Sequence, residues 1–143
     1  MAASAWLEPA GLRVGLGCMR LWSAGGTGPD ALPEAAVAAA LDAGISVFDT
    51  ARTYDGPGGV AGGNERELSR LLRARGAGKP IHVVTKGGMR REGAAWIPDG
   101  RARTLRGDCE ASLAALDGTP IGVYLLHAPD PSRPWTTSLR ALT

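Results

Sequence analysis

Residues Val47 to Gly56, VFDTARTYDG, begin as a buried strand and then place Asp49, Arg52, Tyr54 and Asp55 within seven positions. Strand interiors exclude charge, so such a cluster has two readings. The chain is leaving the core for a solvated loop, or the strand is delivering chemistry at its carboxyl end. The surrounding sequence separates the two.

Working outward, the same strand-then-helix order recurs four times. Leu12 to Gly17 is a short apolar run, and Pro33 to Ala43 has helical propensity with Val37, Ala40 and Leu41 on one stripe. Gly44 is placed to end that helix, and Ile45 to Phe48 follows as a strand. Asn64 and Glu67 have the spacing of a capping box before a helix whose apolar face is Leu68, Leu71 and Leu72 and which Gly76 stops. Ile81 to Thr85 is a β-branched strand, and a loop containing Gly87, Gly88 and Trp96 follows it. A third helix from about Arg103 to Leu116 presents Leu105, Cys109, Leu113 and Leu116, and Gly118 ends it. Ile121 to Leu126 is a fourth strand, and Trp135 to Leu142 opens a fourth helix.

Strands that are apolar throughout and alternate with helices imply an α/β fold with a helix-covered parallel sheet. Right-handed crossovers leave an open doubly wound sheet or a (β/α)₈ barrel of the TIM type. A complete barrel needs about 250 residues. The 143 residues here carry four units, so the expectation is a single domain, residues 1–143, forming half a barrel.

Composition narrows the function. A formal charge of +2 argues against a nucleic-acid surface. Arg101, Arg103 and Arg106 form the densest basic group, read as a solvated helix face before an anion site. No run reaches the ~20 apolar residues of a membrane span, and no leader pattern is visible at the start. Cys18 and Cys109 lie far apart without a CxxC partner, which predicts buried, reduced thiols, a cytoplasmic location and no metal site. Gly15-Leu16-Gly17 opens a dinucleotide fingerprint, but Arg20 stands where the third glycine belongs.

In parallel α/β folds, function gathers at the carboxyl ends of strands. The second strand ends at Asp49 with Tyr54 just beyond, the third at Lys86 and the fourth at His127. Each has a bland alternative alone: an end cap, a solvated charge, a histidine on a backbone carbonyl. His82 begins its strand, at the opposite rim, and is assigned no function. Three strands presenting titratable groups at one rim favour chemistry. A tyrosine hydroxyl is by itself a weak acid, near 10. A nearby lysine stabilises tyrosinate, an aspartate fixes that lysine, and a histidine orients a carbonyl oxygen. Such a group protonates an alkoxide formed by hydride delivery, which implies a nicotinamide cofactor.

The fragments GLGCMRL, VFDTARTYDG, NERELSRLL, VVTKGG and YLLHAPDP resemble segments of the aldo-keto reductase family, in order and at similar spacing. The resemblance implies reduction of an aldehyde or ketone, with Tyr54 as general acid, Lys86 and Asp49 tuning it, and His127 binding the carbonyl. It implies that Gly17, Cys18, Met19 and Asp49 lie near the cofactor. Trp22 and Trp96 are substrate-pocket candidates, with packing as the alternative. The cofactor implied is NADPH, although no residue here separates it from NADH. Family members are about twice as long, and their phosphate-binding residues come mainly from the second half. A chain truncated after the fourth strand leaves sheet edges open to self-association or to a second half-barrel chain. The competing expectation is therefore a catalytically incompetent interaction module.

Overall fold

A computed structural model describes residues 14–22, 33–55, 59–76, 80–93 and 95–143. The main sheet holds four parallel strands in spatial order β1 (Leu16–Gly17), β2 (Val47–Asp49), β3 (His82–Gly87) and β6 (Ile121–Leu126). Helices α1 (Pro33–Asp42), α2 (Gly63–Arg75) and α3 (Ala102–Leu116) connect them, and α4 (Trp135–Leu142) follows β6. Each helix packs on the next in chain order. Phe48, Leu68, Val83 and Leu116 are buried between sheet and helices with Cys18, Val37, Leu71 and Leu72 around them. Full burial of a side chain such as Phe48 or Leu68 contributes about 1.5–3 kcal/mol.

Several expectations need correction. Of the first strand only Leu16 and Gly17 are paired, and Leu12 and Arg13 lie outside the described residues. The stretch after β3, expected as a loop, contains an antiparallel hairpin of β4 (Met89–Glu92) and β5 (Ala95–Pro98) that pairs Arg91 with Trp96. Helix α3 buries Leu105, Ser112, Ala115 and Leu116, whereas Leu113 is 52% exposed, so its inner face is rotated from the stripe of leucines. Cys18 is buried but Cys109 only partly so.

The capping box is the most informative miss. The residue capping α2 is Gly62, and Asn64 lies inside the helix with no exposed surface. Its amide donates to the Cys18 carbonyl at 2.8 Å and its oxygen accepts from the Thr50 hydroxyl at 2.8 Å. A local capping role has yielded to a tertiary one, because two loop groups beyond β1 and β2 would otherwise be buried without partners.

The sheet's hydrogen bonding runs past the strand ends. The N–H groups of Cys18, Thr50, Arg52 and His127 donate to the carbonyls of Asp49, Val84, Lys86 and Gly87, at 2.8 to 3.0 Å. The segments after β1, β2 and β6 are thereby pinned side by side at the carboxyl rim.

Candidate active site

Lys86 lies in β3, and its side chain reaches back across the rim to β2. Its Nζ sits 2.7 Å from Asp49 Oδ1 and donates to the Thr50 carbonyl at 2.8 Å. A third contact runs to the Tyr54 hydroxyl oxygen at 3.5 Å, with Nζ 5.0 Å from the ring centre. Two good acceptors hold the ammonium ion in place while it faces the phenol. Tyr54 is carried by a tight turn closed by its own N–H on the Ala51 carbonyl at 3.0 Å. Because its oxygen accepts from Lys86, its own O–H is left to donate outward.

His127 follows β6 directly and meets Tyr54 edge-on, with ring centres 5.6 Å apart. The Thr53 hydroxyl lies 3.5 Å from its Nδ1. With that hydroxyl donating, the ring proton resides on Nε2, a donor for a carbonyl oxygen. Burial, and then the charge of Lys86, holds the imidazole below its ordinary value. An unfolded chain therefore takes up a proton below about pH 6.5 that the native state resists, so stability must fall as pH drops through that value. Urea unfolding at about pH 7.5 and about pH 5.5 checks this. The loss should be greater in the native sequence than in His127→Asn; equal losses would remove the assignment of a neutral imidazole.

The β4–β5 hairpin, in a stretch expected as a loop, supplies a wall beside Tyr54. Trp96 is centred 6.5 Å from the Tyr54 ring and 6.0 Å from His127. Arg91 lies over the indole at 5.3 Å and pairs with Asp55, which joins the hairpin to the Tyr54 segment. Thr53, Asp55 and Arg91 were not singled out as site residues, and for Arg91 no local pattern could have done so. Trp22 packs, partly buried, against the core cluster.

Of the candidate cofactor residues, Gly17 and Met19 are exposed and Asp49 is half-buried. Cys18 turns inward, where burial, and next the charge of Asp49, pushes its thiol up to about 12. That thiol is a core group, and its backbone N–H and carbonyl are already bonded to Asp49 and Asn64.

The sequence model of the aldo/keto reductase family matches residues 13–143. The chain belongs to the aldo/keto reductase family. It is 32% identical over 100 residues to an aldo-keto reductase from Mycolicibacterium paratuberculosis, a match covering 69% of this chain and 29% of that one. Among solved structures, it is 28% identical to an aldo-keto reductase from Bacillus halodurans in its holo form, with a TM-score of 0.68, covering 90% of this chain and 40% of that one. It is equally identical, at 28%, to a glycerol dehydrogenase from Gluconobacter oxydans, with a TM-score of 0.70, covering 93% and 42%. The chain thus spans less than half the length of these relatives. The reductase neighbours are (β/α)₈ barrels, and four parallel strands covering about 40% of them agree with the half-barrel expectation. Among the described residues, no helix is long and apolar enough to cross a membrane.

Proposed function

We propose that this chain carries the acid–base apparatus of an NADPH-dependent oxidoreductase that reduces an aldehyde or ketone to an alcohol. The observation that carries the reading is the placement of Lys86 Nζ between Asp49 and the Tyr54 hydroxyl, with His127 against the same ring. Tyr54 donates its proton to the substrate oxygen as negative charge develops there. Lys86, oriented by Asp49 and the Thr50 carbonyl, stabilises the tyrosinate left behind. His127 donates from Nε2 to the same oxygen and orients the carbonyl, and Trp96 limits water at the ring face.

The residues present fit the reactive end of a nicotinamide cofactor. Asp49 is bonded to Lys86 yet 41% exposed, so it can still accept from a sugar hydroxyl. Gly17, its partner in the ladder, would meet nothing if it carried a Cβ, and Met19 offers an exposed apolar surface beside it. Gly17, Met19 and Asp49 would hold the group, with Cys18 contributing backbone shape, and the bound cofactor supplies the hydride. The glycerol dehydrogenase neighbour is consistent with the same reaction class run towards oxidation. NADPH rather than NADH is the family's preference, and the two free cysteines support a cytoplasmic location.

A second reading rests on β1 and β6, the edge strands of the sheet among the described residues. It makes the half-barrel a catalytically incompetent interaction or pseudoenzyme module that associates with a copy of itself or with a second half-barrel chain. Titration of NADPH fluorescence against the purified chain, followed by aldehyde-dependent NADPH oxidation, decides between them. Saturable binding and turnover support the reductase; a folded chain with neither property that associates on size exclusion supports the module, and a folded monomer overturns it.

A further inference from the structure

Behind the Tyr54–Lys86 pair lies a set of buried polar side chains that the proposed chemistry does not use. Glu65, in the first turn of α2, has no exposed surface. Its Oε1 accepts from the Thr85 hydroxyl at 2.6 Å, while Oε2 is buried without a hydrogen-bond partner. Arg52, a partly exposed residue, turns its Nη1 inward, where that atom is buried and likewise unbonded. Both atoms face one point beside Gly62, where an added Cβ would lie 2.5 Å from Arg52 Nη1 and 3.4 Å from Glu65 Oε2. Gly62 has a φ of 74° and gives its own N–H to the Arg52 carbonyl at 2.9 Å. Burial pushes the Glu65 carboxyl up, and the Thr85 and Ser112 hydroxyls, then the charges of Arg52 and Arg66, pull it back.

The set joins the site at two points. Arg52 lies inside the turn that carries Tyr54, and its N–H donates to the Lys86 carbonyl at 3.0 Å. Thr85, held by Glu65, immediately precedes Lys86 in β3. A buried charge is costly unless an opposite charge stays near it. Any drift of the Tyr54 turn from β3 would separate the guanidinium from the carboxylate, and the dry interior makes that separation expensive. Buried charge pairs add little net stability, but they can hold one arrangement against its alternatives.

We propose that Glu65 and Arg52, opposite charges whose unbonded inner atoms face one another beside Gly62, are positioning residues that set the separation of the Tyr54 hydroxyl and the Lys86 ammonium. The proposal rests on the reading of Tyr54 and Lys86 given above. Its test compares Glu65→Gln, Arg52→Met and the double variant. Removing one charge strands the other, so each single variant should be less stable than the double, as measured by urea unfolding. In all three, kcat for NADPH oxidation should fall about 10- to 100-fold while KM for NADPH changes less than about twofold. A readout free of turnover is the nuclear Overhauser contact between the Tyr54 ring and the Lys86 side chain, resolvable because the chain has two tyrosines. It should weaken in every variant. If the single variants do not fold, the double variant, with no stranded charge, decides. A double variant with native kcat, or with the native Tyr54–Lys86 contact, overturns the proposal. Should the native chain prove inactive, the assignment of catalytic roles fails, while the Overhauser contact and the stability cycle still decide whether the pair sets the spacing.

Discussion

Tyr54→Phe is expected to leave the fold intact and to lower kcat by about 10²- to 10⁴-fold. The substitution removes one oxygen and keeps the ring, so the edge contacts with Trp96 and His127 persist. Lys86 loses its longest contact, at 3.5 Å, and keeps Asp49 and the Thr50 carbonyl. Stability should therefore change by less than about 1 kcal/mol, the scale of one hydrogen bond. The loss should appear in kcat, since proton donation matters as the alkoxide forms and adds little to ground-state binding. Steady-state NADPH oxidation with a simple aldehyde, beside urea unfolding of the same variant, measures both. A variant within about twofold of native kcat would transfer the general-acid role to His127, the other donor at the rim.

Gly87→Ala should be the most damaging single-methyl addition at the rim. A Cβ there would fall 1.8 Å from the Tyr124 hydroxyl oxygen and 2.8 Å from Asp108 Cβ. Neither neighbour can retreat cheaply. The Tyr124 hydroxyl donates to the Leu105 carbonyl at 2.9 Å, and Asp108 accepts the Gly88 N–H at 2.8 Å. Gly87 itself pairs with Leu126, and its carbonyl receives the His127 N–H at 2.9 Å. Overpacking costs about 1–3 kcal/mol, and leaving the displaced Tyr124 hydroxyl without its acceptor costs about 1–3 more. The expected loss is about 2–6 kcal/mol, a large share of an ordinary domain's stability. Urea midpoints give the number, and a Tyr124→Leu background tests the cause. Alanine at position 87 should cost much less there; an undiminished cost would place the clash elsewhere.

The elements best read from sequence were those whose pattern is decided by their own packing. Helix α4 and strand β6 occupy the expected residues, and Leu68, Leu71 and Leu72 form the buried face of α2 as periodicity predicts. Asp49, Lys86, Tyr54 and His127 come together because parallel strands bring their carboxyl ends to one rim, a consequence of topology. The hairpin was illegible because Met-Arg-Arg-Glu alternates no hydrophobic face; only the turn at Gly93, with φ of 58°, marks it. Asn64 read as a cap since its spacing to Glu67 satisfies a local rule, and nothing nearby reports that Cys18 and Thr50 need its amide. Glu65 and Arg52 are the sharpest case. Charged residues are assigned to solvent by default, and the inward turn of these two depends on three separate segments, the Arg52 turn, the start of α2 and β3.

The ladder that continues beyond the strands has a consequence for motion. Amides of Cys18, Thr50, Arg52 and His127 are each donated to the neighbouring segment. In deuterium these rim amides should exchange with the slow core strands rather than with surface loops. The groups proposed for proton transfer would thus ride on a hydrogen-bonded frame, and the β4–β5 hairpin, fastened to the Tyr54 segment by the partly exposed pair of Arg91 and Asp55, should exchange faster than that frame.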